Sequence, residues 1–261
     1  MPIISLLSDF GLKDSYVSQM KAVILSINPR AVMVDLTHEI PKYDIRAGAF
    51  ALASAALYFP KGTVHMAVVD PGVGGKRKPI IVQTEKSLYV GPDNGLLILA
   101  AKSEKIHRVF EITQKRFMRQ EISPTFHGRD IFSPVAAYLS KGISADRIGK
   151  VLKTYFRPRF SSPIIHGRVI DCEVLHVDSF GNVVTNVRQG DLNEVGVKLG
   201  SRMRFGKNEL FFHRTYSDVA KGSLLGLVGS HGFFEISANQ VNAARLLHLK
   251  TGMRLRLSAM R

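Results

Sequence analysis

A chain of 261 residues with 45% hydrophobic and 22% charged residues is long enough for a full hydrophobic core, which excludes a largely disordered protein. Its single cysteine, Cys172, excludes an intramolecular disulfide and a cysteine-based zinc site, and reads as a small buried hydrophobe in a strand. The formal charge of +15 raises nucleic acid as a partner, but the basic residues are scattered from Lys13 to Arg261 without a recognition motif, so non-specific polyanion attraction is the expectation.

In chain order, the apolar run at 3–7 predicts a buried strand, ended by Ser8-Asp9-Phe10-Gly11. No run is long enough to cross a bilayer, and this first segment lacks a basic leader, so a soluble cytoplasmic protein is expected. Asp14 is placed to cap a helix in which Val17, Met20, Ile24 and Ile27 recur at helical spacing up to Asn28-Pro29. A second strand at 32–36 follows, then a helix opened by Asp44 with Ile45, Ala49, Leu52, Ala53 and Ala56 on one face, then a strand at 64–69. Strands alternating with helices predict a mostly parallel sheet, in which ligands bind beyond the carboxyl ends of the strands. Asp9, His38 and Asp70 each follow such an end.

Asp70-Pro71-Gly72-Val73-Gly74-Gly75-Lys76-Arg77 lacks the Lys-Ser/Thr ending of a phosphate loop and precedes a strand rather than a helix, which argues against a nucleoside triphosphate site. The glycines are read as bringing backbone close to a ligand, with Asp70 and Arg77 facing the site. Strands at 79–84 and 88–90, a helix at 96–102 and a strand at 109–112 come next, and the polar loop 123–130 then carries His127 into a further helix. Asp70, Arg77 and His127 together can orient and polarise a water. The rival use is a metal, but His38, His65, Asp70, His127 and Asp130 show no close ligand spacing, and no metal is expected.

Residues 158–165 read as a linker between an N-terminal α/β domain, 1–157, and a smaller all-β, barrel-like domain, 166–261. Strands are expected at 167–177, 183–187, 202–205, 210–213, 224–228, 233–236 and 254–257. Asp178-Ser179-Phe180-Gly181-Asn182 could cover a purine, although on its own it reads first as a hairpin turn.

Taken together, Ser8-Asp9-Phe10-Gly11 with Asp14, the Asp70 loop with Arg77, Gly91-Pro92-Asp93-Asn94-Gly95, Phe126-His127-Gly128-Arg129 and the Asp178 segment with Thr185-Asn186 resemble, in this order, the S-adenosyl-L-methionine hydroxide adenosyltransferases. These are hydrolytic relatives of the fluorinating and chlorinating adenosyl-halide synthases, and the resemblance covers nearly the whole chain. It implies a homotrimer with sites between subunits, no cofactor, and attack of water or hydroxide on the ribose C5′ of S-adenosyl-L-methionine, giving adenosine and L-methionine. It also implies that Asp70, Arg77 and His127 activate the water, and that Asp9 and Tyr43 bind the ribose. Asp14, Asp178 and Ser230 would hold the methionine end, and Phe180, Asn182 and Tyr216 the adenine. His231 stands where fluorinating members carry Arg, and the acid at Asp70, non-acidic in the halogenases, favours hydroxide over halide. The alternatives are a chlorinase-like halide synthase and a protein that binds S-adenosylmethionine or adenosine without turnover.

Overall fold

The computed structural model describes residues 2–260, which form two compact units meeting between Pro158 and Arg159. Among the described residues no helix is long and apolar enough to cross a membrane.

The first unit opens with β1 (Ile3–Ser8), α1 (Tyr16–Ile27), β2 (Val32–Thr37), α2 (Ile45–Ala56) and β3 (Val64–Val68). It continues through β4 (Pro79–Thr84), β5 (Leu88–Pro92), α3 (Ile98–Ser103), β6 (Ile106–Ile112), α4 (Ser133–Ser140), α5 (Ala145–Ile148) and β7 (Gly149–Val151). The sheet order is β2-β1-β3-β5-β4-β6-β7. Its first four strands are mutually parallel, and β4, β6 and β7 add antiparallel pairings. Because β6 again runs with the first four, the strand directions are mostly shared and the sheet is mixed.

Strand alternation explains the two helical layers. Ile4 and Leu6 of β1 pack in one core with Val17, Met20 and Ile24 of α1 and with Val135 and Ala136 of α4. On the opposite face α2 lies so close that a β-carbon at Gly48 would meet Leu96, Val69 and Leu7 side chains. Asp44 caps α2, its Oδ1 accepting from the Ala47 N–H at 2.9 Å. The cap expected of Asp14 does not form. Helix α1 starts at Tyr16 with Ser15 at the capping position, and the exposed Asp14 lies one residue outside it.

The second unit contains β8 (Ile164–His166), β9 (Val169–Val177), β10 (Val183–Arg188), α6 (Gln189–Glu194), β11 (Arg202–Phe205), β12 (Asn208–Phe212), β13 (Leu224–Val228), β14 (Phe233–Ala238), α7 (Ala243–Leu247) and β15 (Arg254–Ala259). The order β10-β14-β13-β12-β11-β15-β9 closes through a β9–β10 pairing into a seven-stranded barrel, with β8 added outside on β9. Apolar side chains such as Val174, Val183, Met203, Phe234 and Leu257 fill it. Buried Cys172 lies in β9, where burial pushes its thiol up in pKa.

Candidate active site

The order β2-β1-β3 means that the chain leaves β1 to one side and returns to the other, so the crevice of this open sheet lies beyond the ends of β1 and β3. Asp9 and the Asp70 loop follow those two ends directly. Turns from the Asp70 carbonyl to the Val73 N–H and from the Gly72 carbonyl to the Gly75 N–H fold the loop back on itself. Arg77 is thereby returned to Asp70: its Nε lies 3.0 Å from both carboxylate oxygens, and its Nη2 donates to Oδ2. The two side chains are only 5% and 10% exposed, and the guanidinium also lies over the Phe132 ring, 5.4 Å from its centroid.

The same Nη2 donates to His127 Nδ1 at 2.7 Å. Arginine has no acceptor atom, so Nδ1 must supply a lone pair, and the imidazole proton is left on Nε2. Burial and the Arg77 charge both lower the pKa of His127, against weaker upward pulls from Asp70 and Asp130. His127 is thus a neutral ring with its N–H edge turned away from the arginine. It can donate a hydrogen bond to an oxygen placed there.

Three devices hold the His127 loop. Buried Asp130 accepts from Arg129 Nε at 2.7 Å and from the Ser123 N–H at 2.9 Å, and it pairs with Arg119 at 3.0 Å. Phe126 meets Tyr16 and Phe10 edge-on at 5.2 and 5.7 Å, fastening the loop to the segment that carries Asp9. The expected loop also becomes a π-helical turn, Gly128–Phe132, immediately before α4. Pro134 in the first turn of α4 has no N–H for the Asp130 carbonyl, and that carbonyl accepts instead from the Arg119 N–H at 2.9 Å.

The glycines of the Asp70 loop act differently from the expectation. Gly74 has φ +74°, and a β-carbon there would lie 2.4 Å from the Pro124 carbonyl oxygen, so it admits the neighbouring loop rather than a ligand. Gly75 abuts its own loop at the Gly72 carbonyl, and only Gly72 lies beside Asp70 and Arg77.

Asp9 is buried, and its Oδ2 accepts from the Tyr43 N–H at 2.9 Å, while Lys42 Nζ donates to its backbone carbonyl. Tyr43 sits at φ +66°, a conformation disfavoured for a non-glycine residue, and its ring is exposed. His38, at the end of β2, is buried between Ser8 Oγ (2.7 Å to Nδ1) and Asp35 Oδ1 (3.1 Å to Nε2), and its carbonyl accepts from the Gly11 N–H. It supports the Asp9 turn. His65 is also buried, 2.6 Å from Ser5 Oγ and stacked on Tyr89. Among the described residues no three His, Cys, Asp or Glu side chains converge as metal ligands. Between Asp70 and His127 the cation is Arg77.

In the second unit, Asp178, Phe180, Asn182, Tyr216, Ser230 and His231 all line one cavity of about 590 Å³. The 178–182 segment is a tight turn. Asp178 Oδ1 accepts from the Phe180 and Asn182 N–H groups and Oδ2 from Asn182 Nδ2, each at 2.9 Å. That turn leaves the Phe180 ring 79% exposed over the cavity. Sequence reasoning missed Glu235, which also lines it and accepts from Tyr216 OH at 2.8 Å and His231 Nε2 at 2.7 Å. Burial, with Glu235 beside it, drives the Tyr216 phenol up in pKa.

Comparison with known proteins bears on both units. A family model described as SAM hydroxide adenosyltransferase N-terminal domain matches residues 4–149, and the corresponding C-terminal domain model matches residues 172–256. A protein of Salinispora tropica named (R)-S-adenosyl-L-methionine hydrolase is 38% identical over 99% of this chain and 98% of its own length. One of the same name from Thermus thermophilus is 36% identical over 96% and 97%, and a fluorinase from an Actinoplanes species is 25% identical over 97% and 96%. The crystal structure of an uncharacterized conserved protein from Thermotoga maritima superposes with a TM-score of 0.84 at 37% identity, covering 98% of this chain and 99% of that one.

Proposed function

Since the chain belongs to the SAM hydroxide adenosyltransferase family, we propose that it hydrolyses S-adenosyl-L-methionine to adenosine and L-methionine, using the Asp70–Arg77–His127 group to hold the attacking water. The observation that carries this reading is the guanidinium of Arg77 bound at once to the Asp70 carboxylate and to His127 Nδ1. Fixed in this way, the His127 Nε2–H and the Asp70 carboxylate provide one donor and one acceptor for a single water. As the water oxygen bonds to C5′, the C5′–S bond breaks with its electron pair going to sulfur, and one proton passes to solvent. The sulfonium leaves as a neutral thioether and needs no acid. The work left to the protein is alignment and exclusion of bulk water.

Asp9 and Tyr43 are assigned to the ribose, Phe180, Asn182 and Tyr216 to the adenine, and Asp14, Asp178, Ser230 and His231 to the methionine end. Support for the second-unit assignments comes from the cavity those residues share. The negative charge of Asp70 disfavours a halide as nucleophile, which weighs against a halide synthase. The reading extends to a cytoplasmic homotrimer that needs no cofactor, on the strength of the family resemblance. The relatives' name further suggests the (R) sulfonium epimer as substrate.

Incubating pure protein with each sulfonium epimer should release adenosine and methionine in equal amounts, undiminished by a chelator. Formation of 5′-halogenated adenosine alone in chloride or fluoride would overturn the hydrolase reading. Light scattering reporting a fully active monomer would overturn the trimer.

A further inference from the structure

The second-unit cavity is lined by two carboxylates, Asp178 and Glu235, and by no Lys or Arg side chain. The Asp178 carboxylate is engaged three times by its own turn. Glu235 differs in kind. It is 4% exposed in β14, every residue of which is buried. Its Oε2 accepts from Tyr216 OH, with Ser237 Oγ at 3.5 Å, and its Oε1 accepts from His231 Nε2. His231 in turn accepts at Nδ1 from the Phe233 N–H at 3.1 Å, so its ring proton is the one given to Glu235. Among the described residues no Lys or Arg pairs with Glu235.

A buried carboxylate held only by neutral donors keeps a charge that an incoming cation can satisfy. The site is built around it. A β-carbon at Gly229 would lie 2.3 Å from Glu235 Oε1 and 2.7 Å from His231 Nε2, so the Glu235–His231 pair fills space that another residue at 229 would claim. With both of its nitrogens engaged, His231 is a poor replacement for an arginine facing a ligand carboxylate. Glu235 is the charge the cavity offers.

We propose that Glu235 is a specificity-determining residue that receives the α-ammonium of the substrate's methionine portion, with Tyr216 and His231 as positioning residues that orient its carboxylate. This rests on the reading of the cavity as part of an S-adenosylmethionine site. Calorimetric titration of the full-length protein with S-adenosylhomocysteine, which carries the ammonium, and with 5′-methylthioadenosine, which lacks it, tests the idea. Glu235→Gln should weaken S-adenosylhomocysteine by about tenfold or more and leave 5′-methylthioadenosine within about twofold. Equal losses for both ligands, or no loss for either, would overturn it. Should that variant fail to fold, Tyr216→Phe removes one positioning donor and should also weaken S-adenosylhomocysteine more than 5′-methylthioadenosine; equal weakening overturns the proposal. Wild-type protein that binds neither ligand and releases no adenosine overturns the underlying reading itself, a distinct result from a Glu235→Gln variant that binds both normally.

Discussion

Gly74 and Pro124 touch backbone to backbone: a single β-carbon on Gly74 would come within 2.4 Å of the Pro124 carbonyl oxygen. Two loops that carry Asp70 and His127 are therefore in register only while position 74 has no side chain. Gly74→Ala should destabilise the protein by about 2 kcal/mol, combining the positive-φ penalty with the clash, and should lower turnover as well. Gly62 is the control, since its φ is +88° with nothing within 4 Å of the added carbon. Gly62→Ala should show only the smaller backbone cost, about 1 kcal/mol, in thermal melts. Equal melting shifts would refute the steric part of the account.

Arg77 binds a carboxylate and an imidazole with one planar group, and a lysine ammonium is a point charge without that fork. Arg77→Lys should therefore cut kcat by roughly a hundredfold with little change in KM. Steady-state rates across a substrate series would measure this, and a loss confined to KM would move Arg77 from water positioning to substrate binding.

The lowered pKa of His127 sets a direction for the pH profile. Protonating Nδ1 would put an imidazolium against the Arg77 N–H. Activity should persist as pH falls through the ordinary histidine range and decline only below it. His127→Asn retains an acceptor for Arg77 and a donor for the water but cannot titrate there. It should keep part of the rate and lose this acid limb; a limb that stays unchanged in the variant assigns it to another group.

Buried His65 titrates at about 3 because burial, aided by Lys86, disfavours its charged form. Between the unfolded value near 6.5 and about 3, the unfolded chain holds a proton that the folded chain does not. His65 therefore contributes a loss of stability as pH falls through this window, approaching about 1.4 kcal/mol per pH unit, with none of the loss above it. Urea unfolding at several pH values should show a shallower acid decline for His65→Phe than for the wild type. Parallel declines would exclude His65 as the source.

The parts of the fold that were legible are those where local chemistry and packing agree. The uninterrupted apolar runs at β1 and β3 are buried on both faces, and Asp44 stands at the helix start that its side chain can cap. Asp14 misled because a helix start shifted by one residue leaves a suitable capping side chain outside it. The residues of the Asp70–Arg77–His127 cluster could be named because each follows an element end. The Arg77 bridge that sets the imidazole tautomer needed coordinates. Glu235 was overlooked because one acid in a strand usually marks the solvent face. The available signal was its setting in Phe233-Phe234-Glu235-Ile236, where apolar neighbours on both sides leave no wet face. The short helices α6 and α7 were hidden by their length, too short to display a period.

The π-helical turn at Gly128–Phe132 makes the aim of His127 a matter of chain length as well as residue type. Removing one residue there would allow an ordinary helical turn, and each residue advances a helix by about 100°. His127 would then swing off the Arg77 guanidinium although all three side chains were still encoded. A one-residue length difference in this short segment is therefore a sharper warning of lost activity in a related chain than many substitutions around it.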